Sequence, residues 1–381
     1  MYQIKGKIDS TNAMEFEKEI MSALPSELDA SELEYISSAG LRVLLKLTKA
    51  VGDVVIQNVN SEVYEIFDVT GFTCILTVKK ALREISIEGC ELIGSGGYGK
   101  VYRLDDETIA KIYNPGISLS FVEQERNTSQ KAFLMGVPTA ISFDVVTCGD
   151  RYGVVYEMLD AKTMAQIIDA DPSMIQPISA KSAMLLKELH QIAPDADTAL
   201  PDRKEKMLAW VDSIADYITA EEAEKIKGFI GSIPDRNTFL HGDYNAKNIM
   251  ICDGEFRLID IGDAAIGHPV FDIAGLILAY IILPSTRCGS RSDEDLRGLL
   301  GFDFSYAQQV WGVMCATYFG LTSPDEIKAT TMKLMPYCLL LMTFHSISIV
   351  GGNEDMIKVR IDKILRDRLL PAIDTAQPLD F

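Results

Sequence analysis

Asp243, Asn248 and Asp260 carry side-chain oxygens at a spacing that one short hairpin can bring together. Residues 249–251 and 256–261 are β-rich runs, and Asp253-Gly254 between them is a strong tight-turn pair. Such a hairpin returns Asn248, just before its first strand, to the side of Asp260 near the end of its second. Asp243 stands in the preceding loop, five positions before Asn248. Asn248 and Asp260 suit a hard cation such as Mg²⁺, and Asp243 can accept a proton. An acidic turn beside an ordinary hairpin would carry the same residues, so the elements around them decide the chemistry.

Residues 92–101 contain Gly94, Ser95, Gly96, Gly97, Tyr98, Gly99 and Val101 in the pattern Gly-x-Gly-x-x-Gly-x-Val. Dinucleotide-binding folds share these glycines, but there the loop opens a helix. Here residues 100–104 read as a strand, 105–107 as a turn and 108–113 as a second strand, with Lys111 at its centre. Ser120-x-x-Glu123 reads as a capping box opening a helix to about Met135. On that helix Glu125 shares a face with Val122, Ser129 and Ala132 and points inward as a partner for Lys111. Glu123, the competing carboxylate, is tied to the cap. Residues 140–147 and 152–158 read as two more strands, and 178–192, 203–218 and 220–231 as helical runs.

The order of these parts resembles the protein-kinase-like fold. The His-Gly-Asp form at 241–243 resembles the branch that holds aminoglycoside phosphotransferases and choline kinases. So do the roughly 50-residue insertion before that loop and the run from Gly267 to Ala274. The resemblance implies a glycine-rich hairpin over the phosphates of ATP, with Lys111, held by Glu125, on the α- and β-phosphates. It implies adenine against the backbone at Glu157 and Met158, and Asn248 and Asp260 on Mg²⁺. Asp243 becomes the catalytic base, Asp272 a brace for its loop, and Asp263 a support for the same loops. His268 and His345 read as structural. Ser292-Asp293-Glu294-Asp295 and Ser323-Pro324-Asp325-Glu326 could face a cationic substrate, but a helix cap with acidic first-turn residues explains both more simply.

The first 86 residues alternate strands and helices in a small α/β pattern. Strands are expected at 2–7, 28–35, 53–59 and 72–78. Helices are expected at 13–24, opened by a Ser10-Thr11 cap, at 41–51 and at 62–68. The run from Leu28 to Leu45 is similar to the STAS domain of anti-sigma-factor antagonists, as is the later run from Ser61 to Phe72. The resemblance places Ser38 where that family carries its phosphorylation switch, at a helix N-terminus that tolerates phosphate. Ser37 or Ser38 can equally serve as a plain helix cap.

The chain has 381 residues, 48% hydrophobic and 24% charged, which reads as globular. Its net charge of −19 argues against nucleic acid or an anionic membrane as partner. Seven scattered cysteines (74, 90, 148, 252, 288, 315 and 338) and four histidines fit reduced thiols and no zinc site. The N-terminus has no apolar signal core, and the apolar stretches 273–283 and 338–350 read as too short or too interrupted to span a bilayer. A cytoplasmic location is the expectation.

The expected architecture is a small STAS-like α/β sandwich at 1–86, then a bilobal kinase-like domain at 87–381. Its N-lobe would run from 87 to 158 and its C-lobe from 159 to 381. The expected activity is ATP- and Mg²⁺-dependent phosphoryl transfer to a hydroxyl of a small molecule, with an anti-sigma-type regulator as a STAS partner. Two alternatives stay open: a protein serine kinase acting through Ser38, and a nucleotide-sensing binding module.

Overall fold

The computed structural model describes residues 1–195, 200–285, 292–350 and 353–381, so Cys288 lies outside the described residues. The chain divides into two compact units. The first comprises Met1–Glu88 with Val145–Arg151, the second Gly89–Asp144 with Tyr152–Phe381.

In the first unit, β1 (Tyr2–Ile8), β2 (Glu27–Ile36), β3 (Val55–Val59) and β4 (Thr77–Lys80) form a parallel sheet in that spatial order. Helices α1 (Ala13–Ala23), α2 (Ser38–Val51) and α3 (Ser61–Val69) connect the strands, as parallel pairing requires. Apolar side chains from both layers, among them Leu28, Ile36, Leu44, Ile56 and Phe67, form its core.

Two local expectations need correction here. Ser10 and Thr11 do not cap α1; the Asn12 side chain accepts the Asp9 amide at 2.8 Å, and Thr11 bonds back to the Asp9 carboxylate. Residues 72–78 are not one strand, because Phe72–Cys74 is a 3₁₀ turn and the strand begins at Thr77. At α2 it is Ser37 that caps, accepting the Ala39 amide at 3.2 Å. Ser38 is the exposed first helical residue, with its hydroxyl not used for the cap.

The second unit opens with an antiparallel sheet. Strands Glu91–Ser95, Gly99–Arg103, Thr108–Tyr113 and Arg151–Glu157 lie side by side in that order. Helix Leu119–Leu134 follows the third of them and buries Val122, Glu125, Thr128, Ser129 and Ala132. Its cap is Ser118, whose Oγ accepts the Phe121 amide at 3.3 Å, and not Ser120. The expected capping box is absent, and Glu123 is simply an exposed residue beyond the first turn.

A helical region completes the unit around one large apolar core. Its longest helix, Pro324–Ile349, is long and apolar enough to cross a bilayer by length and composition, and 56% of its most apolar window is buried inside the structure. The stretch 338–350 therefore belongs to a longer element than its own composition indicates. Ser292 and Ser323 each open a helix with a complete capping box, through Asp295 and Glu326. Both acidic clusters thus have local structural work.

Candidate active site

The hairpin that carries Asn248 and Asp260 forms as its turn chemistry dictates. Strands Ile249–Cys252 and Glu255–Leu258 pair antiparallel across Asp253-Gly254. Both turn residues have positive φ, 50° and 80°, the mark of a type I′ turn. The second strand stops at Leu258, earlier than the apolar run indicates. Asp260 adopts the left-handed conformation at φ 60°, ψ 51°, and a 3₁₀ turn follows at Ile261–Asp263. The Ile259 amide donates to the Asn248 carbonyl at 3.0 Å, which sets Asn248 beside Asp260.

Asn248 is buried, and its Nδ2 donates to Asp243 Oδ2 at 2.8 Å and to the Asp243 carbonyl at 2.9 Å. Asn245 donates from Nδ2 to Asp243 Oδ1 at 2.9 Å and accepts the Lys247 amide. Each oxygen of the Asp243 carboxylate is thus oriented by one side-chain amide. Asp243 opens to solvent on its outer face. The surrounding protein mass, with help from the Asp260 carboxylate, still pushes its carboxyl above the ordinary range, against the opposing effects of His241 and the two amides.

From the other side comes Lys111. Its Nζ donates to Glu125 Oε1 at 2.6 Å and to Asp260 Oδ1 at 2.8 Å. Burial disfavours the ammonium, but the Asp260 and Glu125 carboxylates outweigh it and hold Lys111 above its usual range. Glu125 is 7% exposed and packs against the backbone after Asp260. A Cβ at Gly262 would stand 2.6 Å from Glu125 Cγ, so the residue there has to be glycine for Glu125 to point inward.

The glycine hairpin turns tightly, with the Gly96 amide donating to the Gly99 carbonyl at 2.9 Å. Its tip is tied down by Asn114, whose Nδ2 donates to the Gly97 carbonyl at 2.9 Å. Added Cβ atoms at Gly96 and Gly97 would meet nothing within 4 Å, whereas one at Gly99 would lie 2.3 Å from the Ile112 carbonyl. Gly99 is therefore demanded by the sheet, while Gly96 and Gly97 leave the tip open to a close approach. Ser95 and Tyr98 are exposed along this hairpin, and Gly94 and Val101 face each other across it. At the end of the sheet the Glu157 amide donates to the Ile141 carbonyl and the Met158 amide to the Glu107 carbonyl. Both amides are therefore already spent within the sheet.

The loop before Asp243 is braced from behind. The buried Asp272 carboxylate accepts the amides of His241 and Gly242, each at 2.8 Å, and faces His190 Nε2 at 3.2 Å. Burial would raise this carboxyl, but the His190 hydrogen bond and the donors around it bring it below its ordinary value. Tyr280, in a π-helical stretch at Leu278–Ile282, accepts the Ala246 amide at 2.8 Å. Neither His190 nor Tyr280 carries a sequence signal, since both contacts are long-range. Burial pushes His268 and His345 down to about 4, which leaves both neutral near pH 7. Asp263 sits beside the loop at Gly242, with its carboxylate 3.9 Å from Lys206 Nζ.

The sequence profile of the phosphotransferase enzyme family matches residues 89–307, and that of the STAS domain matches residues 1–85. The chain belongs to the phosphotransferase enzyme family and carries an N-terminal STAS domain. The putative anti-sigma factor antagonist BtrV of Bordetella bronchiseptica is 34% identical over 84 residues, which is 20% of this chain and 72% of that protein. Among solved structures, the gentamicin complex of APH(2")-IIa is 17% identical with a TM-score of 0.48, covering 74% of this chain and 92% of that one. A choline/ethanolamine kinase family protein from Mesorhizobium loti is 15% identical with a TM-score of 0.47, covering 75% and 92%.

Proposed function

We propose that the second unit transfers the γ-phosphoryl group of ATP to a hydroxyl of a small molecule. The observation that carries this reading is the convergence of Lys111, Glu125 and Asp260 within hydrogen-bonding distance, with Asn248 and Asp243 beside them. A half-buried lysine held by two carboxylates is a preset phosphate contact, and the open glycine tip gives the phosphates room.

The donor set fits Mg²⁺. Asn248 spends its Nδ2 on Asp243, which leaves its side-chain carbonyl as a ligand atom, and Asp260 keeps one carboxylate oxygen beyond its bond to Lys111. No group of three or more His, Cys, Asp or Glu forms a closed metal cage among the described residues. Two oxygen ligands suffice for Mg²⁺, which retains water and takes phosphate oxygens. When bound, it would neutralise charge on the phosphates. In the transfer, Asp243 orients the acceptor hydroxyl and takes its proton as the oxygen bonds to the γ-phosphorus. The bond from that phosphorus to the bridging oxygen breaks, and ADP leaves. A screen of ATP consumption against hydroxylated small molecules, run beside a phosphoprotein assay, tests the reading. ATP consumed only with protein acceptors would replace it.

Lys111 and Glu125 should behave as one unit. Lys111→Ala and Glu125→Ala are each expected to impair turnover, with the double variant little worse than either. Glu123→Ala should be nearly silent, since Glu123 is exposed and outside the cap. Additive losses at 111 and 125, measured by steady-state kinetics, would break the unit apart.

A regulatory reading is favoured by the exposure of Ser38 at the first turn of α2, where its hydroxyl is not used for the cap. Phosphate there would add nearly two negative charges at a helix N-terminus and alter the binding of an anti-sigma-type partner rather than folding. Intact mass after incubation with Mg-ATP, compared among wild type, Ser38→Ala and Asp243→Asn, tests modification in cis. An added phosphate lost in both variants is the expected result, and unmodified wild type would reject self-phosphorylation.

A further inference from the structure

We infer that Arg203 is a positioning residue of this site, locking the backbone at Gly242, next to Asp243, to the backbone at Asp263, just past Asp260. The inference rests on Asp243 and Asp260 being the transfer site, and it supplies a link between them that no motif contains.

The chain is steered to this point by backbone pairing. The Ile266 amide donates to the Pro201 carbonyl at 2.9 Å, and Asp202 bridges Ile266. The segment before helix Arg203–Ser213 therefore runs along the strand Ala265–Ile266, which itself pairs with Phe239–Leu240 ahead of the catalytic loop. Asp202 caps the helix by accepting the Glu205 amide at 2.9 Å, and Arg203 is its first residue. Arg203 is 2% exposed, and its Nη2 donates to the Asp263 carbonyl at 2.7 Å.

Gly242 completes the junction. Its φ of +86° already favours glycine, and a Cβ there would lie 2.2 Å from the Asp263 carbonyl oxygen and 2.5 Å from Arg203 Nη2. Three pieces of chain, far apart in sequence, thus meet at a point with no room for a side chain at 242. The kinase pattern His-Arg-Asp carries its arginine within the loop; here the loop has glycine, and a guanidinium arrives from a helix 40 positions earlier.

Packing alone does not account for an arginine here. Its Nε is buried with no hydrogen-bond partner, a cost that an apolar side chain of similar length would avoid. What the guanidinium adds is the charged donor to Asp263. That carbonyl lies three residues past Asp260, and Gly242, against which the same guanidinium nitrogen packs, immediately precedes Asp243. One group thus bears on both functional carboxylates, by a bond on one side and by close packing on the other.

The test uses the full chain with Arg203→Met and Arg203→Lys, read by hydrogen–deuterium exchange and by calorimetric ADP binding with and without Mg²⁺. Arg203→Met is expected to speed exchange in both 241–248 and 260–266 while leaving the strands at 99–113 unchanged. The gain in ADP affinity on adding Mg²⁺ should fall by about 10-fold, with affinity for ADP alone retained. Arg203→Lys keeps the charge without the planar fork, so exchange in both segments should fall between wild type and Arg203→Met. If Arg203→Met does not fold, faster exchange in both segments of Arg203→Lys than in wild type decides in favour. Wild-type exchange in either segment of a folded variant, or an increase spread through the whole helical region, overturns the proposal. If wild type binds no ADP, the nucleotide reading fails by itself, and the exchange pattern still decides the role of Arg203.

Discussion

Asp243→Asn should lower turnover by about 10²- to 10⁴-fold, the range expected when a general base is lost. The replacement keeps the size of the side chain and costs one of the two bonds that Asn245 and Asn248 make to it, but the loop keeps other bonds that do not involve this side chain. Asp272 retains the His241 and Gly242 amides, and Tyr280 retains the Ala246 amide. ADP affinity and thermal stability are therefore expected to stay near wild type while the chemical step collapses. Turnover assays with the alcohol that best supports ATP consumption, beside calorimetric ADP titration, measure the two effects separately. Wild-type-like turnover would remove Asp243 from the mechanism, and a parallel loss of ADP affinity would make it a binding residue.

Asp260→Ala should abolish the Mg²⁺-dependent part of nucleotide binding. The substitution removes one of two proposed ligand side chains and one of the two carboxylates that hold Lys111. Glu125 remains at 2.6 Å from Lys111 Nζ, so the lysine keeps a partner and a contact for the phosphates of metal-free nucleotide. ADP titrations in Mg²⁺ and in EDTA should then give the same affinity for the variant and clearly different ones for wild type. A Mg²⁺ response that survives the substitution would place the cation on other groups. The substitution should also carry a modest folding cost, because alanine gives up the Lys111 bond and tolerates the left-handed backbone at φ 60° less well than aspartate does.

The hairpin and the inward glutamate were legible because both follow from short-range rules. Asp253-Gly254 specifies its turn by backbone chemistry alone, and the helical period puts Glu125 on the face of Val122 and Ser129. The errors fall where neighbouring residues compete for the same local role. Ser118 and Ser120 both suit a cap, and only the direction of the preceding chain selects Ser118. Phe72 and Cys74 look strand-like by composition, yet Gly71 at φ 75° starts a turn there. Asp260 leaves extended geometry inside an apolar run that reads as continuous strand. Asn245, Tyr280 and Arg203 were missed for a different reason. Asn245 sits in the loop itself and was readable as an asparagine two residues after Asp243, but the other two reach the loop only through tertiary packing. No periodicity or spacing encodes such contacts.

The missing side chain at Gly262 has a consequence for motion as well as for shape. Glu125 occupies the space that a Cβ would take, so the helix Leu119–Leu134 and the backbone after Asp260 are keyed into each other like a tooth in a notch. Neither can shift far without the other giving way. A tilt of that helix would therefore press directly on the backbone after Asp260. Any influence that rotates the helix would thus be registered at Asp260 without touching it, and would release Lys111 from both of its carboxylates together.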